Sequence, residues 1–305
     1  MLTPQANYFD RVKQSVMLLL QNWQVFVLVP IIVGIAVYII QSILMVTGVM
    51  SMFSNISSGR LTAGSFLIPI VLTMIIPVIL ALLGGAISAV APIKAVDTMD
   101  HDQKPTIGGV VQFALGYIGR YFSVIWHVFT YIALWPVLGI ILSIVLLVMG
   151  EVTASIGGLL MMVSVIVLLV LMIVRGPSAV FALYIAVAQN KSGKDSLTDS
   201  VSLTKGRWGE VVINLVIYSL IAWLVGVIIG GIGSAIASSF GSPYIYTRGF
   251  TTYSYDYFSA YAIVSGIFQA IQTGLLTGFV SIYLYLLWKM FATGPKPATP
   301  AAPTA

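Results

Sequence analysis

The chain has 305 residues, of which 59% are hydrophobic and only 8% are charged. A soluble domain carries about 25% charged residues, so these side chains are too few to cover a folded protein of this size in water. Together with a mean hydropathy of +1.04, the composition excludes a soluble globular enzyme and indicates an integral membrane protein.

The residue types also exclude several kinds of site. The sequence has no cysteine, which excludes disulfides, thiolate metal sites and a Cys nucleophile. Its two histidines, His101 and His127, argue against a metal or haem centre. The net charge of +5 comes from basic residues scattered over short loops, which is typical of topology control. We therefore predict no metal, no cofactor and no nucleic-acid partner.

Six continuous apolar stretches are long enough to cross a bilayer, because a spanning helix needs about 20 residues. They cover roughly 23–50, 64–93, 121–150, 154–188, 209–238 and 262–292. A membrane β-barrel would instead show short alternating segments. The sequence predicts an all-α polytopic protein with one membrane domain over 1–293. A disordered Pro/Ala-rich tail over 294–305 is expected to follow it.

The basic residues predict the orientation of these spans. Eleven lie in the two termini and in the loops 94–120 and 189–208, whereas only Arg60 and Arg248 lie in the intervening loops. Because Lys and Arg accumulate on the cytoplasmic side, we expect both termini to be cytoplasmic. The expected location is the bacterial inner membrane.

The chain also contains a candidate threefold repeat. Three segments, Ser15–Trp23, Phe113–Tyr121 and Ser200–Trp208, each end in a basic or amide residue followed by an aromatic ring. Each is predicted to be a cytoplasmic amphipathic helix that precedes a helical hairpin. The repeat units cover about 7–95, 106–190 and 195–293. Chance similarity between short apolar strings is the alternative explanation.

In this interpretation Arg120 and Arg207 contact lipid phosphate, and the neighbouring rings anchor each span at the interface. The returning helices share small-residue positions, at Gly84-Gly85, Gly176 and Gly278, where we expect a bend.

The segment Ser196–Gly209 carries a family resemblance. It is similar to the segment that introduces a pair of spans in bacterial six-span proteins, which resemble the membrane domain of glycerophosphoryl diester phosphodiesterases and related uncharacterised inner-membrane families. The resemblance implies the membrane domain alone, because the phosphodiesterase barrel needs paired histidines and metal-binding carboxylates. No catalytic residue is carried over, and we expect no enzymatic activity.

Arg175 is the one charged residue deep inside a predicted span. A charge there is costly, so it normally has a partner or a role. One interpretation is an anion or lipid-phosphate site beside a helix break at Gly176-Pro177. The other is that the span ends near Val174 and the guanidinium reaches the cytoplasmic headgroups.

Small residues recur every four positions in the last two spans, a pattern that lets helix backbones pack closely. The residues selected for this role are Gly226, Gly230, Gly266, Gly274 and Gly278. Gln269 and Gln272 lie beside the second series and predict either a polar path or hydrogen bonds between helices.

Two further groups receive ordinary interpretations. Asp97, Asp100, His101 and Asp102 have a metal-like composition but are predicted to form a water-exposed connector. The aromatic loop over 244–258 is predicted to rest at the membrane interface, although such loops also bind glycans or proteins.

These observations leave two functional hypotheses. The first is a non-enzymatic scaffold, assembly or lipid-organising module, with membrane lipids and another membrane protein or a second copy as partners. The second is a passive carrier or channel for lipid or a small solute, with a site near Arg175, since repeats in transporters frame a central site.

Overall fold

The computed structural model of the protein describes residues 2, 7–57, 69, 71–149, 151–241, 244–246, 253–255 and 259–294. The predicted tail beyond Gly294 and much of the aromatic loop lie outside these residues. The described chain is almost entirely helical, which confirms the predicted helical class.

The helices, in chain order, are α1 (Tyr8–Gln21), α2 (Val29–Ser57), α3 (Ile76–Asp100), α4 (Ile107–Ile132), α5 (Leu134–Val148), α6 (Glu151–Ala179), α7 (Ala182–Gln189), α8 (Gly193–Thr204), α9 (Trp208–Ser238) and α10 (Ala260–Thr293). Two π-helical turns, Gln24–Leu28 and Val71–Ile75, lead into α2 and α3. Within the aromatic loop, the three-residue strands β1 (Tyr244–Tyr246) and β2 (Tyr253–Tyr255) pair antiparallel, with Ile245 opposite Ser254.

Five helical stretches in the described chain are long and apolar enough to cross a membrane, and a sixth qualifies if a bent helix pair counts as one span. The five are Gln24–Gly48, Val71–Asp100, Thr153–Gln189, Trp208–Ser238 and Ala260–Thr293. They coincide with five of the predicted spans, and the bent pair covers the remaining one. Large apolar side chains are exposed along them, as on Leu159, Ile166 and Ile173 of α6.

The bent pair consists of α4 and α5, which meet at 72° around Ala133. Pro136 accounts for the bend, because its ring has no N–H for the carbonyl of Ile132 and would clash with that carbonyl in a straight helix. The predicted amphipathic segment Phe113–Tyr121 is therefore part of α4, a single helix that runs from Ile107 to Ile132.

The chain divides into two compact units, which are described separately. The first unit comprises Met1–Val12, Gly119–Tyr218 and Tyr283–Ala305, and the second comprises Lys13–Ile118 and Ser219–Ile282. These boundaries differ from those of the three predicted repeats, and the repeat stays a prediction.

In the first unit, α8 packs against a helix break. The break lies at Val180–Phe181, between α6 and α7, whereas the sequence predicted it at Gly176-Pro177. That prediction was wrong, because α6 continues through Pro177 to Ala179. The Ser200 hydroxyl of α8 donates to the carbonyl of Ser178 at 2.7 Å and accepts from the N–H of Phe181 at 3.2 Å. One buried side chain thus satisfies backbone groups on both sides of the break.

In the second unit, glycines bring α10 close to the start of α2. A Cβ on Gly274 would lie 2.8 Å from the carbonyl oxygen of Val27, and one on Gly278 would lie 2.8 Å from that of Phe26. Gly84 of α3 similarly faces Val37. Helices α3, α6 and α10 run without interruption through the positions where bends were expected. Gly84 and Gly278 therefore permit close packing in this structure, without ending a helix.

Candidate functional site

The largest fully buried side chain among the described residues is that of Arg11 on α1, in the first unit, which is 0% exposed. Its Nη1 donates to Oδ1 of Asn214 at 2.5 Å, and its Nη2 contacts Sδ of Met290 at 3.3 Å. The charge also lies over the rings of Tyr8 and Tyr283, at 5.7 and 5.8 Å from their centroids. Ring faces and hydrogen-bond acceptors compensate part of the desolvation of a buried cation.

Asn214 organises this contact from α9. It is 0% exposed, and its Nδ2 donates to the carbonyl of Glu210 at 2.7 Å, one turn earlier on the same helix. That bond fixes the rotation of the amide and directs Oδ1 away from the helix backbone. Oδ1 then accepts from Arg11 and from the hydroxyl of Tyr283, the latter at 2.7 Å, which uses both lone pairs of the oxygen. Arg11, Asn214 and Tyr283 are called the Arg11 cluster below.

Sequence reasoning missed this cluster because it counted Arg11 as a loop charge. Two signals were present. Asn214 is a strongly polar residue inside an apolar span, where it needs a partner. Arg11, Ser15 and Leu19 recur every four residues and share one face of α1, and all three are buried. The sequence could not show that these two residues are partners, because Arg11 and Asn214 are 203 residues apart along the chain.

Arg175 lies half-buried near the end of α6 and contacts the helix break at Ala133. Its Nη1 donates to the carbonyl of Tyr131 at 2.7 Å, and the guanidinium lies 5.0 Å from the centroid of the Tyr131 ring. Positive charge at the C-terminal end of a helix is favourable, because the last carbonyls carry partial negative charge. In this position Arg175 caps the last turn of α4.

A second side chain donates a hydrogen bond to a backbone carbonyl beside Arg175, that of Val174. Nε1 of Trp208, the first residue of α9, donates to the carbonyl of Val174 at 3.2 Å. The sequence predicted that backbone groups near Arg175 could serve as ligands for an anion or lipid. In the structure two carbonyls of this region already accept hydrogen bonds from side chains, that of Tyr131 from Arg175 and that of Val174 from Trp208.

The other two arginines selected from the sequence lie at different contacts. Arg120 is exposed and donates to Oδ1 of Asn190, the left-handed residue that ends α7. Arg207 is half-buried and lies 5.1 Å from the centroid of Phe291. Each presents a guanidinium beside a helix end in the first unit.

The polar and small residues of the last two spans meet in the second unit. The amide of Gln272 lies against α9, where a Cβ on Gly226 would be 3.1 Å from Nε2 and one on Gly230 would be 3.4 Å from Oε1. Gly266 faces the ring of Tyr38. Gln269 is exposed. The structure therefore does not place the two glutamines on one lined path: one packs on glycines and the other faces outward.

The prediction that Asp97, Asp100, His101 and Asp102 form a water-exposed connector was wrong for Asp97. Asp97 belongs to α3 and is 4% exposed, so it does not lie in a water-exposed loop. Nζ of Lys94 lies 2.8 Å from its carboxylate and 4.9 Å from the Phe113 ring centroid. Nδ1 of His101 lies 2.8 Å from the Asp97 carbonyl oxygen. Among the described residues, no three His, Asp or Glu side chains are grouped as a metal site would require.

Comparison with known proteins adds no relative: no family model, curated protein or solved structure matches this chain.

Proposed function

We propose that this chain is a non-enzymatic integral membrane protein that organises lipids or serves as a scaffold in the bacterial inner membrane. One observation carries the proposal: α1 exposes large apolar side chains while it buries an arginine. Phe9 is 82%, Met17 49% and Leu20 66% exposed, beside the exposed charges of Asp10 and Lys13. The buried face of α1 holds Arg11 and Ser15.

Such a helix is stable where its outer face meets hydrocarbon. Exposed Phe, Met and Leu side chains of this size each favour a nonpolar environment by about 1.5–3 kcal/mol. A helix lying in the interface would bury them between headgroups and acyl chains. Trp23 and Trp208, both partly exposed at the starts of their spans, are the ring types that anchor helices at that level.

The contacts of the polar side chains fit a structural module. Arg11 holds α1 through Asn214, Arg175 caps α4, and Ser200 satisfies a helix break. Arg120 and Arg207 remain our choices for lipid-phosphate contacts, because each offers a guanidinium beside an interfacial ring or helix end.

The proposed repeat has support in the first and third segments. In the alignment of Ser15–Trp23 with Ser200–Trp208, both serines are 0% exposed and both tryptophans are exposed. The resemblance to the membrane domain of glycerophosphoryl diester phosphodiesterases belongs to the same proposal and concerns the membrane layout alone.

Single cysteines test the membrane placement, since the chain has none of its own. We expect Met17→Cys to be protected from a water-soluble maleimide in vesicles and to react after detergent solubilisation. Lys205→Cys, in an exposed turn, should react freely in both states. Equal reaction of the two cysteines in vesicles would contradict an interfacial α1.

The same approach tests the orientation. In intact cells, a membrane-impermeant maleimide should label Ser239→Cys, at the exposed end of α9, but should spare Lys205→Cys until the cells are permeabilised. The reverse pattern would overturn the proposal of cytoplasmic termini.

A passive carrier is the second candidate, and one observation favours it. Gln269 and Thr273 are exposed one turn apart in the middle of α10, and neither side chain hydrogen-bonds to the described residues. Polar groups at that depth need water or a polar partner. Rapid maleimide labelling of Gln269→Cys in sealed vesicles would indicate a water-filled path and favour the carrier, whereas protection would favour the scaffold.

A further inference from the structure

The second unit contains an apolar groove between α2 and the first turns of α10. Its volume is about 410 Å³. The walls are four isoleucines, Ile35 and Ile39 from α2 and Ile263 and Ile267 from α10. This volume and lining are those of a small-molecule site, which is mostly apolar and contains few polar groups.

At the base of the groove, α2 and α10 are in close contact. A Cβ on Gly266 would lie 3.3 Å from Cζ of Tyr38, so the ring rests directly on α10. The Tyr38 hydroxyl donates to the carbonyl of Ala262 at 3.3 Å, which holds the ring across the gap. Deeper along the pair, Gly34 approaches Ala270. The groove is therefore a built feature of α2 and α10.

Among the described residues that line the groove, Ser42 provides the one hydroxyl besides Tyr38. It is 2% exposed and lines the groove. No hydrogen bond joins its side chain to any residue in the described ranges. The hydroxyl oxygen is open to the groove and is not enclosed by protein. In hydrocarbon it has neither water nor a partner among the described residues, and leaving it unpaired costs about 1–3 kcal/mol. Its position therefore calls for a hydrogen-bond acceptor that arrives with the occupant of the groove.

The depth of Ser42 indicates which acceptor that is. At 1.5 Å per residue, Ser42 lies about 28 Å along the helix from Trp23. The hydrocarbon core of a bilayer is about 30 Å thick. If Trp23 marks one interface, Ser42 lies at the opposite boundary, where the ester carbonyls of phospholipids lie. Ile35 and Ile39 then lie on the hydrocarbon side of it.

We propose that this groove binds one acyl chain of a membrane phospholipid. The chain lies between the four isoleucines, and the Ser42 hydroxyl donates to the ester carbonyl oxygen of the same lipid. An apolar cavity of this kind takes up hydrocarbon in preference to water. The inference rests on the membrane location in the proposed function and does not depend on the scaffold role.

The test measures retention of an ester-linked phosphatidylethanolamine by the purified, delipidated full chain, using native mass spectrometry. Ile267→Trp fills the groove and should abolish the retained lipid. Ile228→Trp is the matched control, because Ile228 is an exposed span residue of α9 outside the groove, and it should bind as the natural chain does. Equal retention by the two variants would mean annular lipid only and would overturn the proposal.

The hydroxyl is tested separately with Ser42→Ala. We expect about a five- to tenfold loss of affinity for the ester lipid, the effect of one hydrogen bond. An ether-linked analogue, which lacks the carbonyl, should bind the natural chain as weakly as the ester lipid binds Ser42→Ala. Equal affinity of the natural chain for both lipids would contradict the role of Ser42. A negative result in either lipid experiment would leave the maleimide protection of Met17→Cys unchanged. The lipid-groove proposal can therefore fail while the proposed membrane placement of α1 stands.

Discussion

Arg11 and Arg175 lie in the same unit and show how differently two arginines can be accommodated in an apolar protein. Arg11 is fully buried and hydrogen-bonds to a side chain from a distant helix. Arg175 stays half-buried and caps a carbonyl that a proline bend leaves at the end of α4. The first contact joins α1 to α9 and α10, whereas the second stabilises a local bend. Removing the first should therefore cost more.

The largest effect is expected at the Arg11 cluster. Asn214→Leu removes the acceptor shared by Arg11 and Tyr283 and leaves a buried cation with fewer partners. We expect a loss of about 2–4 kcal/mol in the free energy of unfolding, measured by denaturant titration in mixed micelles. Ile213→Leu, at the exposed neighbouring position, should stay within about 0.5 kcal/mol.

A double-mutant cycle sharpens this prediction. Combining Arg11→Met with Asn214→Leu should cost less than the sum of the single changes by at least about 1 kcal/mol, because both remove the same contact. Strict additivity would mean that the hydrogen bond does not contribute to stability.

The next effect is expected at Arg175. Arg175→Leu leaves the Tyr131 carbonyl without its donor and should cost about 1–2 kcal/mol. The bend exists because of Pro136, so the same substitution in a Pro136→Ala background should cost less than about 0.5 kcal/mol. An unchanged cost in that background would exclude the capping role. Circular dichroism during the titration would check both.

Ser200 tests whether a neutral side chain does for α6 and α7 what Arg175 does for α4. Ser200→Ala removes one acceptor and one donor at the helix break and should cost about 1–2 kcal/mol. Ser202→Ala, two residues along the same helix and exposed, is the matched control and should change stability by less than about 0.5 kcal/mol. Equal effects of the two changes would show that the bridge is unimportant.

The smallest effect on stability is expected at Arg120. It is exposed and bonds to Asn190 at the surface, where a single polar contact contributes at most about 0.5 kcal/mol. Arg120→Ala should therefore unfold at nearly the same denaturant concentration as the natural chain. Its retention of anionic lipid should fall, and unchanged lipid retention would remove Arg120 from the proposed phosphate contacts.

The sequence determined the solvent of this protein and most of its elements. Continuous apolar runs located five spans to within a few residues, apart from α3, which extends to Asp100. That information is local: about 20 adjacent residues decide whether a segment prefers hydrocarbon to water. The glycine series was also readable, since a period of four residues places them along one helix face.

Tertiary structure alone decided which polar residues are buried and what they contact. Arg11 and Arg175 are equally charged in sequence, and Arg175 was selected because its neighbours are apolar. The cluster at Arg11 depends on Asn214 and Tyr283, which lie more than 200 residues away along the chain. The break at Phe181 depends on Ser200, which lies 19 residues further along the chain in a different helix. The free energy of burying these polar side chains depends on contacts between segments that are separated along the chain. Local hydropathy contains no information about such contacts.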